Sequence, residues 1–101
     1  MAGERLGIMV TKYENAEHIV GVTKAARAAG HPVAIFLTDA GVKFTQDPEF
    51  LEALKREGVE CSVCDHSCER LGIHDKTEGI SYGSQLNNAG MLHDSARTLI
   101  F

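Results

Sequence analysis

Three cysteines lie within eight positions, as Cys61-x2-Cys64-x3-Cys68, with His66 and His74 close by. Thiols and imidazoles at such spacing can support nucleophilic sulfur chemistry, dithiol–disulfide exchange or metal binding. Cys64 is the strongest candidate. It ends the segment Val59–Cys64, which reads as a third strand, and Asp65 then caps a short helix ending near Leu71-Gly72. Free backbone N–H groups and the helix dipole at such a junction favour a thiolate over a thiol. Lys12 adds positive charge if the first and third strands are neighbours, and His66 is a second candidate for the same role. Asp65 opposes both, because a carboxylate beside the sulfur disfavours a second negative charge. The competing reading of Cys64 is an inert cysteine that fills a strand end.

The other two cysteines are weaker candidates. Cys61 lies three residues back along the strand, about 10 Å away and on the opposite face, so a core role is expected. It cannot bridge to Cys64 without rearrangement. Cys68 lies one helical turn beyond Cys64 and is either a resolving thiol or a packing residue. The same geometry weakens a zinc or iron–sulfur reading. Metal knuckles sit in loops where several sulfurs converge, whereas Cys61 is expected mid-strand.

Positioning these residues requires a regular scaffold, and the hydrophobic pattern describes one. Residues 5–11 form a short apolar run without alternation, as expected for a strand covered on both faces. Glu14 or Asn15 then caps a helix through Ala29, with Ala16, Ile19, Val20, Thr23 and Ala26 at helical spacing. Gly30 suits a left-handed position after that helix, and Pro32 prevents its continuation. Residues 33–38 form a second buried run. Asp39 to Asp47 reads as a loop with at most one helical turn. Asp47-Pro48 starts a helix that buries Phe50, Leu51 and Leu54 and stops at Gly58. After the third strand and its helix, residues 73–83 read as loop, with a short strand at Gly79-Ile80-Ser81. Ser84 caps a helix over about 85–95, and Arg97 to Phe101 is the last strand. Alternation of this kind predicts an α/β fold with a parallel sheet, helices on both faces and right-handed crossovers.

In an open parallel sheet, sites lie outside the carboxyl ends of the strands. Thr11, Lys12 and Tyr13, Thr38 and Asp39, and Cys64 are therefore the positions to consider. His18 and His31 are expected to be solvated, and His93 could face a subunit interface. The segment from Tyr82 to Asn88 either borders the pocket or only caps a helix. The loop Thr11-Lys-Tyr-Glu-Asn15 carries neither a glycine-rich fingerprint nor a hydroxyl-rich phosphate cradle, so no nucleotide cofactor is expected.

Composition sets the outer limits. A chain of 101 residues, 44% hydrophobic and 24% charged, has the size and balance of a single globular domain spanning 1–101. Oligomerisation would help so small a core. The net charge of −4, with no basic run, argues against direct nucleic-acid binding. No apolar run approaches the length of a membrane span, and Met1 to Val10 is too short for a signal-peptide core. Three clustered cysteines, an odd number, do not form a secreted disulfide scaffold. A cytoplasmic location without membrane association is the expectation.

The chain resembles the DsrE/DsrF-like family, small sulfur-carrier subunits related to the sulfur-relay protein TusD. The resemblance rests on the first strand, the Ala-rich helix ending at Gly30, Val33-Ala-Ile-Phe-Leu, the block from Cys64 to Ile73, and Ala96-Arg-Thr-Leu-Ile-Phe. In that family a cysteine ending the third strand, about eight residues before a glycine, carries a persulfide. Cys64 and Gly72 match that spacing. The resemblance implies a three-layer α/β/α fold of flavodoxin-like architecture and homo- or hetero-oligomers such as trimers or hexamers. It also implies transfer of sulfane sulfur between donor and acceptor proteins, a sulfurtransferase-like role that needs no cofactor and no metal. Cys61 and Cys68 are not part of the family motif. The alternative of a different class is a non-catalytic oligomeric assembly or regulatory module of the same fold. A Cys/His metal-binding protein is the third reading.

Overall fold

A computed structural model describes residues 4–55, 57–77, 79–83 and 95–101. Five strands form one sheet: β1 (Leu6–Val10), β2 (Val33–Leu37), β3 (Val59–Cys64), β4 (Ser81–Gly83) and β5 (Arg97–Ile100). Their spatial order is β4-β3-β2-β1-β5, and every neighbouring pair runs parallel. Helices α1 (Ala16–Ala28), α2 (Pro48–Leu54) and α3 (Asp65–Arg70) connect them, with a 3-10 helix over Asp39–Gln46. The expected α/β class and parallel sheet are therefore present.

β2 lies at the centre of the sheet and all five of its residues are buried. That position explains an apolar run without alternation, since both faces of the strand are covered. One face carries Ile8, Val10, Val33, Ile35, Leu37 and Val63, packed with Ile19 of α1 and with Phe50 and Leu54 of α2. Phe44 of the 3-10 helix stacks on Phe50 with centroids 4.0 Å apart. The other face carries a smaller cluster of Ala34, Phe36 and Cys64, with Met9 against it.

The helix ends follow local chemistry. Asp47 accepts a hydrogen bond from the Phe50 amide at 3.2 Å, and Pro48 occupies the first turn of α2. Gly30 has φ +87, and the amides of Gly30 and His31 donate to the carbonyls of Arg27 and Ala26. The same double closure ends α3: Gly72 has φ +74, and the amides of Gly72 and Ile73 donate to Glu69 and Cys68. Glycine is favoured at both positions because a Cβ is costly in the left-handed region.

Several expectations need correction. The stretch after β2 is not a loop with one turn but an eight-residue 3-10 helix, burying Val42, Phe44 and Thr45. Its apolar residues pack under α2, which the local turn signals did not show. Asn15 occupies the N-cap of α1, but in a left-handed conformation (φ 64) without a side-chain capping bond. The N-cap of α3 is Cys64 itself, and Asp65 is the first helical residue. The short fourth strand begins at Ser81 and not at Gly79. The expected helix over about 85–95, its Ser84 cap and His93 lie outside the described residues. No helix among the described residues is long and apolar enough to cross a membrane.

Candidate functional site

The carboxyl ends of β2, β3 and β4 meet the first turn of α3, and most of the cysteine-block chemistry gathers there. Strand register sets the arrangement. Leu37 pairs with Val63, so Thr38 and Asp39 follow β2 where Cys64 ends β3. Across the other edge, Cys64 pairs with Gly83 of β4. Cys64 is 1% exposed and lies in the smaller cluster with Ala34 and Phe36.

Cys61 and Cys68 are separated from Cys64 in different ways. Strand alternation turns Cys61 to the opposite face, among the side chains packed against α1 and α2. There it lines a cavity of about 340 Å³ with Leu51, Leu54, Val59, Lys55 and Ile80. Burial pushes its thiol up to about 12. Cys68 sits one turn into α3, is buried and belongs to the larger core cluster with Ile73. Its thiol is also raised, first by burial and then by the nearby charges of Asp65 and Cys64, with Lys76 acting in the opposite sense. The three sulfurs therefore do not converge on one point. Among the described residues, no group of three or more His, Cys, Asp or Glu side chains is arranged to hold a metal ion.

The two cations named from sequence fare differently. The condition set for Lys12 is not met: β2 lies between β1 and β3, so Lys12 follows a strand two places from Cys64. Two strand spacings are about 9.5 Å, and Lys12 is exposed. His66 lies in the first turn of α3 and is exposed. Among the other histidines, His18 is exposed, whereas His31 is half-buried with Nδ1 3.0 Å from the Glu4 carbonyl. The latter is thus not simply solvated.

Ser67, Arg70, Lys76 and Thr77, which the sequence did not single out, hold α3 in place together with Thr38, Asp39 and Tyr82, which it did. Ser67 is buried; its Oγ accepts from the Asp39 amide at 3.1 Å and lies 3.4 Å from Thr38 Oγ1. Asp39 has φ 49, a conformation disfavoured for a residue with a Cβ. Arg70 donates to its carboxylate at 2.9 Å. Lys76 forms the second pair, donating to Asp65 Oδ1 at 3.0 Å while lying 4.4 Å from the centre of the Tyr82 ring. The Tyr82 hydroxyl accepts from the Thr77 amide at 2.7 Å, and Thr77 Oγ1 donates to the Thr45 carbonyl. Tyr82 thus stands beside α3, while the rest of the segment to Asn88, from 84 onward, lies outside the described residues. The i+3 and i+6 spacing of Ser67 and Arg70 from Cys64 was a usable signal for the first clamp. Lys76 had none, because its approach depends on the chain turning back after Gly72.

The sequence matches the profile of the DsrE/DsrF-like family over residues 4–99. The chain belongs to the DsrE/DsrF-like family. That membership covers nearly the whole chain and points to sulfur relay at the level of the family. Among solved structures, the chain is similar to the ychN protein from E. coli, with a TM-score of 0.72 and 16% identity over 100% of both chains. At that identity the likeness shows a shared DsrE-like fold. No curated protein sequence matches the chain.

Proposed function

We propose that this DsrE/DsrF-like chain is a sulfur carrier that accepts sulfane sulfur on Cys64 as a persulfide and passes it to a second protein. The supporting observation is the place of Cys64 in a sulfur-relay family chain. It is the last residue of β3 and the N-cap of α3, with Gly72 closing that helix eight residues on.

In the uptake step, the Cys64 thiolate attacks the outer sulfur of a donor persulfide. One S–S bond forms, the donor's S–S bond breaks, and the donor sulfur leaves as a thiolate. In the delivery step, an acceptor thiolate attacks the outer sulfur on Cys64, and Cys64 leaves as a thiolate. The sulfane sulfur changes owner without net oxidation or reduction. Because Cys64 is buried, both steps require the surrounding chain to open. Between them, burial shields the persulfide from stray thiols. Cys68 is the resolving-thiol candidate within reach of a local adjustment. The partners are donor and acceptor proteins, the chain acts as a homo-oligomer such as a trimer or hexamer, and its compartment is the cytoplasm.

Intact-protein mass spectrometry after incubation with a persulfide donor tests the assignment. The expected result is the mass of one added sulfur atom, removed by a reductant and absent from Cys64→Ser. An adduct that survives that substitution overturns it. The burial of Cys64 beside Phe36 favours one alternative, a non-catalytic assembly module in which the cysteines only pack. That reading predicts no adduct on the wild-type chain.

A further inference from the structure

We propose that Lys76 is a positioning residue of the sulfur site: its ammonium neutralises Asp65 and so keeps an anionic sulfur tolerable at the β3–α3 junction. The inference rests on the proposed sulfur chemistry of Cys64 and names a residue to which neither the family match nor the cysteine motif assigns a role.

The junction has an electrostatic difficulty built into its sequence. Asp65 directly follows Cys64 and shares the first turn of α3 with Cys68. A carboxylate there opposes any second negative charge, whether thiolate or persulfide anion. The structure supplies a counter-charge from eleven residues further along the chain. Lys76 Nζ lies 3.0 Å from Asp65 Oδ1 and 4.4 Å from the Tyr82 ring centre. Tyr82 stands on β4, paired in register with Val63, the residue before Cys64. Its hydroxyl accepts the amide of Thr77, which fixes the backbone next to Lys76. The ammonium is therefore held at the carboxyl end of the sheet by two contacts, the Asp65 carboxylate and the Tyr82 ring, on the face of the larger core cluster. The opposing influences of Asp65 and Lys76 on the Cys68 thiol agree with this arrangement. The other charges near the junction do not fill the role. Arg70 is engaged with Asp39, the carboxylate at the end of β2, and His66 points into solvent as an exposed residue of α3.

A charge cycle read by thiol titration tests the proposal. Thiolate ultraviolet absorbance is followed against pH in a Cys68→Ala background, where Cys61, held near 12, titrates far from the window of interest. In that background Lys76→Gln is expected to move the titration upward by about half a pH unit, because Asp65 is left uncompensated. Asp65→Asn is expected to move it downward, and the double variant to return close to the starting value. Lys76→Arg should preserve it. Raised salt should shrink every difference, since both charges are about half exposed. A titration unmoved by Lys76→Gln, or a double variant no different from Lys76→Gln alone, overturns the proposal.

Thermal unfolding of each variant separates this effect from general damage. The readout is also independent of sulfur transfer. Shifted titrations without a persulfide on Cys64 would sink the carrier reading and leave the Lys76 role standing. Persulfide loading with unshifted titrations would do the reverse.

Discussion

One strand and one helical turn place three chemically identical side chains in three different settings. Cys61 is turned among core side chains, Cys68 is buried in the larger core cluster, and Cys64 marks the change from strand to helix. Burial disfavours the charged form of a thiol, so Cys61 stays protonated at neutral pH and is a poor nucleophile. At neutral pH, peptide mapping after brief alkylation should therefore recover Cys61 unmodified. The same shift predicts a pH dependence of stability. The folded-state value lies above the unfolded one, so the native chain retains a proton that the unfolded chain releases. Stability is then insensitive to this group below the unfolded value of roughly 8.5 and falls as pH rises from there toward about 12. Thermal melts across that range should show a steeper alkaline decline for the wild type than for Cys61→Ala. Equal slopes would refute the assignment. The opposite-face placement of Cys61 was legible from spacing alone, because strand alternation is a local geometric rule. The failure of Lys12 as a neighbour was not, because it depends on which strand lies between β1 and β3.

The secondary elements are held by a few identifiable devices, and each predicts its own penalty. Asp47 caps α2 through the Phe50 amide, so Asp47→Ala should cost about 1 kcal/mol in a denaturant titration. Gly72 has open space where a Cβ would sit, yet a positive φ. Gly72→Ala should therefore cost roughly 1–2 kcal/mol through backbone conformation alone. Gly41 presents the converse case: its φ is not in the left-handed region, but an added Cβ would collide with the Val10 carbonyl oxygen. Gly41→Ala should displace the 3-10 helix from the end of β1 and lower stability more than Gly72→Ala does. The clamp on α3 leads to a kinetic expectation. Arg70→Ala releases Asp39 and should increase the rate of Cys64 alkylation, because a buried sulfur reacts only when its surroundings open. An unchanged rate would show that opening does not involve this pair.

At the level of the whole molecule, the sheet order β4-β3-β2-β1-β5 makes β2 the strand on which both core clusters converge. Phe36 is fully buried on the face that carries Cys64. Phe36→Ala should therefore remove about 3–5 kcal/mol of stability and, through the shared cluster, loosen the sulfur site as well. β5 lies at one edge of the sheet with Leu99 and Ile100 exposed, at 40% and 67%. Edge strands with apolar side chains are surfaces that proteins generally cover or protect. Analytical ultracentrifugation measures the proposed homo-oligomer directly, and a monomer at working concentration would refute it.

What the linear chain determined by itself is what depends on near neighbours. Apolar runs set β1 and β2, Asp47-Pro48 started α2, and Gly30 and Gly72 closed α1 and α3, because caps and left-handed glycines act within a few residues. The end of β3 at Cys64 belongs to the same class. Tertiary structure alone decided which strands lie side by side, and with them which charges can reach the sulfur. Coulomb interactions act through space and weaken with distance and solvent. Thus Lys12, close to its strand end in sequence, is a strand too far away, while Lys76, from a loop of no evident promise, sits on Asp65.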